Sequence, residues 1–148
     1  MMESQHTQGR CLCGAVRFTL RDALPAIYQC HCSECRKITG SAHNASCIVP
    51  TDGFTWVQGE DSVTSYVHDS GYRSHFCSRC GSPAPNLMRN GQYFWVPAGA
   101  LDDTGGMKVK AHLCVSSRAS WEATAGDGRQ FDDVPPFDEL ISILGDRR

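Results

Sequence analysis

The chain has 148 residues, room for one domain of ordinary size. Its 41% hydrophobic and 20% charged residues are those of a packed globular protein and exclude wholesale disorder. A formal net charge of −2, with Lys and Arg scattered and only Arg147-Arg148 paired at the end, gives no electrostatic footprint for nucleic acid or an anionic membrane surface.

Residues 1–10 are polar and lack the apolar core of a signal peptide. No run approaches the ~20 apolar residues of a membrane span. The expected location is therefore the cytoplasm, where thiols stay reduced. Val16-Arg17-Phe18-Thr19-Leu20 alternates and predicts a half-buried strand. Just ahead of it, Cys11 and Cys13 share one parity while Val16, Phe18 and Leu20 share the other. Either the cysteines sit on the sheet's far face or Gly14 marks a bulge that resets the register, and the bulge beside a metal site is the expectation.

Further extended runs follow at 26–29, 45–49, 54–57, 63–67, 72–76, 93–96 and 111–115. Asn90-Gly91, between runs at 86–88 and 92–96, predicts a type I′ hairpin. Only 137–144, with Asp138 as its cap, reads as a helix. The expectation is a mainly β fold of small antiparallel sheets with little helix. It forms a single domain over 1–148, with a core over about 9–137 and peripheral residues at 1–8 and in the C-terminal tail.

Seven of the nine cysteines cluster, as Cys11-x-Cys13, Cys30-His31-Cys32-x-x-Cys35 and Cys77-x-x-Cys80. In a reducing compartment an odd count at such short spacings reads as metal ligands and not as disulfides. Cys77-x-x-Cys80-Gly81 has the form of a zinc knuckle, with Gly81 free to adopt positive φ, and Cys11-x-Cys13 supplies two further thiolates. Together they predict a closed four-cysteine structural site.

Cys30, Cys32 and Cys35 leave one position of a second zinc open, so the expectation is two Zn²⁺ per chain. An open site can bind and activate a thiol. Completion of that site by His43, His75 or His112, or a shared two-metal cluster, is left open by the spacing. His31 is read as a neighbour of the site or a surface residue, and His31 or His43 as a candidate proton carrier. Cys47 and Cys114 read as buried core thiols. Arg36 and Lys37 could take a carboxylate of a small anionic substrate. Trp56, Trp95 and Trp121 are expected in the core or a pocket wall, and no HExxH spacing supports a histidine-based hydrolase centre.

Gly9-x-Cys11-x-Cys13-Gly14-x-Val16, Cys30-His31-Cys32-x-x-Cys35-Arg36-Lys37-x-x-Gly40-Ser41 and Phe76-Cys77-x-x-Cys80-Gly81 together resemble the glutathione-dependent formaldehyde-activating enzyme / centromere protein V family. The likeness continues through Gly99-Ala100-Leu101-Asp102, His112, Ser117-Arg118-Ala119, Trp121 and Val134-Pro135. It implies a zinc-binding β-tent, with Cys11, Cys13, Cys77 and Cys80 on a structural zinc and Cys30, Cys32 and Cys35 on a catalytic one. It also implies a carbon–sulfur lyase that interconverts S-hydroxymethylglutathione with glutathione and formaldehyde. The absence of a basic tail argues against the chromosomal role of the centromere branch. The expected partner is a small glutathione-like thiol adduct. The rivals are a non-catalytic binding module with both zincs structural, and a redox or zinc-buffering role.

Overall fold

The computed structural model describes residues 6–123 and 128–145, so of the segments expected to be peripheral, residues 1–5 and 146–148 lie outside the described residues, while 6–8 belong to a strand. Among the described residues the chain is mainly β, with eleven strands and two α-helices. In order these are β1 (His6–Arg10), β2 (Arg17–Arg21), β3 (Ile27–Cys30), α1 (Ser33–Thr39), β4 (Asn44–Pro50), β5 (Phe54–Gln58) and β6 (Val63–Val67). There follow β7 (Arg73–Cys77), β8 (Asn86–Leu87), β9 (Tyr93–Pro97), β10 (Val109–Leu113), β11 (Arg129–Gln130) and α2 (Phe137–Gly145). The chain forms two compact units, one from residues up to 24 with 48–105, the other from 25–47 with 106 onward.

In the first unit β1, β2 and β5 make an antiparallel sheet, and β6 pairs with β7. The alternation in β2 does what its period requires: Phe18 and Leu20 are each 1% exposed. Phe18 stacks on Phe54 at 5.4 Å between centroids, and Phe54 stacks on Phe94 at 3.9 Å, with Trp56 edge-on to Phe54 at 4.9 Å. Gly9 faces Phe18 across the β1–β2 ladder, and a Cβ there would lie 2.2 Å from Phe18 Cζ. The ring thus occupies space that only glycine leaves.

The β8–β9 hairpin departs from the expected type I′ turn. Arg89 and Asn90 keep negative φ, Gly91 has φ 73, and the Gly91 N–H donates to Met88 O at 2.9 Å. This is a type I turn followed by a left-handed glycine, the form that a loop longer than two residues favours.

The second unit is not wholly antiparallel. β3 pairs antiparallel with β4, but β10 runs parallel to both β3 and β11. Strands so far apart in sequence can pair in either direction, because no tight turn joins them. α2 buries Leu140 and Leu144, four apart on one face, so the core extends past 137. The Ala26 N–H donates to Leu144 O at 3.0 Å and satisfies a carbonyl that the helix end leaves open. Asp138 lies inside the first turn of α2 and is not its cap.

Candidate functional site

Cys11 and Cys13 sit in the turn between β1 and β2, not on a strand. Cys11 N–H donates to Val16 O and Gly14 N–H to Cys11 O, each at 3.1 Å. A tight turn therefore replaces the expected bulge at Gly14. Cys77 ends β7, and the Gly81 N–H closes the Cys77–Cys80 turn on Cys77 O at 2.8 Å, with Gly81 at φ 79.

The four sulfurs of Cys11, Cys13, Cys77 and Cys80 lie within 4.8 Å of one another, with Cys11–Cys13 at 3.6 Å and Cys13–Cys77 at 3.8 Å. A tetrahedral zinc with Zn–S near 2.3 Å separates its sulfurs by about 3.8 Å, whereas a disulfide needs about 2.05 Å. The residues present fit a tetrahedral thiolate site. Val16 N–H donates to Cys11 Sγ at 3.3 Å and Arg79 N–H to Cys77 Sγ at 3.4 Å, as suits sulfurs carrying negative charge. Ser82 Oγ accepts from Leu12 N–H at 3.0 Å and lies 3.2 Å from Cys80 Sγ. This hydroxyl pulls the Cys80 thiol down to about 5.

Cys30, Cys32 and Cys35 form the second group, again with sulfurs within 4.8 Å of one another. β3 ends on Cys30, Cys32 is the cap of α1, and Cys35 stands in its first turn. The Cys35 N–H donates to Cys32 Sγ at 3.3 Å, so a thiol takes the capping role usually given to Ser or Asp. At the other end Gly40, at φ 65, returns its N–H to Arg36 O at 2.9 Å. The neighbouring Cys35 sulfur and burial push the Cys30 thiol well above its ordinary range, and burial pushes Cys32 up. Thiols crowded in this way ionise together only beside a compensating cation, so this donor set also fits a bound metal.

Among the described residues no histidine or carboxylate joins these three sulfurs, and the seven thiols form two groups, not one. His43 and His112 gather around His31 instead. His31 is 0% exposed, not on the surface, and its Nε2 lies 3.1 Å from His112 Nδ1, with the His43 ring 5.3 Å away. Burial first, then the neighbouring imidazoles, lowers the pKa of His31, and burial does the same at His43. His75 lies on β7 with a buried Nε2 that has no hydrogen-bond partner.

Cys47 is a core thiol as expected, 0% exposed and pushed up to about 12 by burial. Cys114 is not. It is only half-buried and follows β10 in a left-handed turn with φ 58, and burial first, then the neighbouring Cys30 thiol, pushes it up to about 12. Trp56 packs in the aromatic core, but Trp121 is 70% exposed, so it is neither core nor pocket wall. Arg36 is half-buried on α1 and its Nε is a buried donor without an acceptor, while Lys37 is exposed. No sequence motif marks a polar groove of about 530 Å³ whose lining includes Ser116, Arg118, Ser120, Glu122 and Asp132.

The family model described as glutathione-dependent formaldehyde-activating enzyme matches residues 6–117, which include all seven clustered cysteines. A Halomonas elongata protein named "Putative glutathione-dependent formaldehyde-activating enzyme" is 35% identical over 81 residues, 51% of this chain and 52% of that protein. The match thus spans about half the length of that curated relative. The crystal structure of a Rhodobacter sphaeroides protein shares the fold at a TM-score of 0.53 and 22% identity, covering 66% of this chain and 90% of that one.

Proposed function

The chain belongs to the glutathione-dependent formaldehyde-activating enzyme family, and from that premise we propose that it is a zinc-dependent carbon–sulfur lyase. Its substrate is a glutathione-type thiol–aldehyde adduct such as S-hydroxymethylglutathione. Cys30, Cys32 and Cys35 hold the catalytic zinc, and Cys11, Cys13, Cys77 and Cys80 hold a structural one. The observation that carries the reading is the three-thiol group with no histidine or carboxylate beside it among the described residues. Zinc bound there supplies a Lewis acid that favours the thiolate form of a sulfur ligand and polarises an aldehyde oxygen.

The chain's own residues supply position and charge. Capping of α1 by Cys32 fixes two of the three thiols relative to each other through one N–H···S bond. Arg36, one residue beyond Cys35, carries the buried unsatisfied Nε, and a carboxylate of a tripeptide thiol would satisfy it. The groove lining holds Arg118, which suits a carboxylate, and Glu122 and Asp132, which suit an ammonium, the pair of charges that a γ-glutamyl end carries. In the lyase direction the C–S bond breaks with its electrons going to sulfur. The hydroxyl oxygen gives up its proton as it becomes the carbonyl, and sulfur is reprotonated on release. His31 contacts both His43 and His112, and burial lowers the pKa of His31 and His43, which supports packing more than proton transfer at the thiols.

Exchange NMR of a glutathione–formaldehyde mixture tests this reading. The zinc-loaded protein should accelerate interconversion of adduct and free thiol, and Cys32→Ser should abolish the acceleration. Exchange equal to that in buffer would defeat the lyase assignment.

A further inference from the structure

We propose that Cys114 is a fourth, displaceable thiol donor to the metal centre of Cys30, Cys32 and Cys35. The resting centre is then closed by the protein and opens when a substrate thiol takes the place of Cys114. This rests on the three-cysteine reading above and adds a donor that neither the family pattern nor the spacing assigns.

The first argument is register. β3 and β10 are parallel neighbours, with Leu113 opposite Cys30, and the His31 N–H donates to Leu113 O at 2.8 Å. Both strands therefore end at the same level, where ligands of parallel sheets gather. β3 delivers Cys30 there, and β10 delivers Cys114 one residue later. The two side chains lie within interaction range of each other, but Cys114 does not join the group whose sulfurs all lie within 4.8 Å. It is thus a neighbour of Cys30 outside the tight three-sulfur group, as a labile donor should be.

The second argument is the backbone. Cys114 has φ 58 and ψ 41 and is one of two non-glycine residues with positive φ among those described. That conformation costs a residue with a Cβ roughly 1–2 kcal/mol, which glycine would avoid. Core packing does not explain the cost, because the thiol is half-exposed, unlike Cys47. Three backbone bonds hold the turn: Cys114 N–H to Asp133 O at 3.4 Å, Val115 N–H to Phe131 O at 3.0 Å and Ser117 N–H to Cys114 O at 2.9 Å. Strain held in place beside a reactive cluster points to a role for the side chain.

The third argument is chemistry. Thiolate is the donor that suits this site, and a closed four-sulfur site protects thiols from oxidation better than an open one. Exchange balances without any other reactant: the incoming thiol gives up the proton that the departing Cys114 takes.

The test is ¹¹³Cd NMR of the full chain loaded with two equivalents of Cd²⁺, where chemical shift reports the number of sulfur donors at each ion. The expected spectrum has two resonances in the four-sulfur region, and Cys114→Ser moves one of them upfield while the other stays. Cys114→Gly keeps the left-handed turn without the thiol and should give the same shift, which covers a folding defect in the serine variant.

A wild-type resonance already in the three-sulfur region, or two resonances unmoved in both variants, would overturn the donor role of Cys114. Absence of a second resonance altogether would instead overturn the three-cysteine site. Displacement is read separately by mass spectrometry. Iodoacetamide should alkylate Cys114 in the loaded protein only after glutathione is added. Alkylation unaffected by glutathione would defeat the displaceable role.

Discussion

Gly59 makes the closest backbone approach in the first unit, and filling it is the sharpest structural test. The residue is left-handed, with φ 81, and a Cβ there would lie 2.0 Å from Ala15 O, 2.8 Å from Ala15 C and 2.9 Å from Val16 Cα. All three atoms are backbone, so no side-chain rotation relieves the overlap, and the chain must move by about 1.4 Å to reach ordinary contact. Gly59→Ala therefore combines a left-handed alanine at ~1–2 kcal/mol with overpacking at ~1–3 kcal/mol, together ~2–5 kcal/mol. That is a large share of the 5–15 kcal/mol typical of a folded domain.

The displaced segment also carries the Val16 N–H that donates to Cys11 Sγ, so metal affinity at the four-thiol site should fall as well. Gly40→Ala is the control: Gly40 is left-handed too, but nothing lies within 4 Å of its Cβ position. Urea unfolding of the two variants isolates the contact term, and a competition assay with a metal chelator reads the second effect. Equal destabilisation by both substitutions would refute the argument, because then only backbone conformation would matter.

Three further outcomes are expected. Cys80→Ser should destabilise the chain by about 4 kcal/mol in urea unfolding, the entropy of a cross-link between residues as distant as Cys13 and Cys77, 64 apart. Cys35→Ser should reduce bound zinc, measured by mass spectrometry of the metal, from two ions to one while the four-thiol site stays loaded. Finally, burial keeps the His43 pKa below its ordinary value of 6.5, with Glu122 opposing and His112 adding to the shift, and the His31 ring nearby. The unfolded chain then takes up the proton first as pH falls, so stability is intact above about 6.5 and declines below it. His43→Gln should flatten the decline in urea midpoint between about pH 7 and 5.5, measured at saturating zinc.

What the sequence made legible was what local pattern controls. Phe18 and Leu20 face the core because a strand alternates, and the Cys-x-x-Cys turn closes as such turns do. β1 was missed because His6–Arg10 has no apolar alternation and is a strand only through its ladder with β2. α1 was missed because its seven residues show no apolar period, and a cysteine caps it. The parallel pairing of β3 with β10 was also invisible, and with it the place of Cys114, because register between distant strands is not written locally. The same cause hid the His31, His43 and His112 cluster, whose members are brought together by β3, β10 and the start of β4. Trp121 shows the converse: a large apolar residue need not be inside.

The two thiol groups differ less in their ligands than in what surrounds them. Around the four-thiol group, the N–H groups of Val16 and Arg79 donate to sulfur directly. Hydrogen bonds of this kind draw charge from a thiolate and make it a poorer nucleophile, which suits a site whose work is to hold turns together. At the three-thiol group the Cys35 N–H reaches Cys32, while burial and mutual contact raise Cys30 and Cys32. The odd number of clustered cysteines therefore has a chemical meaning beyond counting. The site with fewer fixed donors is also the one whose surroundings favour exchange, and Cys114 stands where an exchanging donor would have to be.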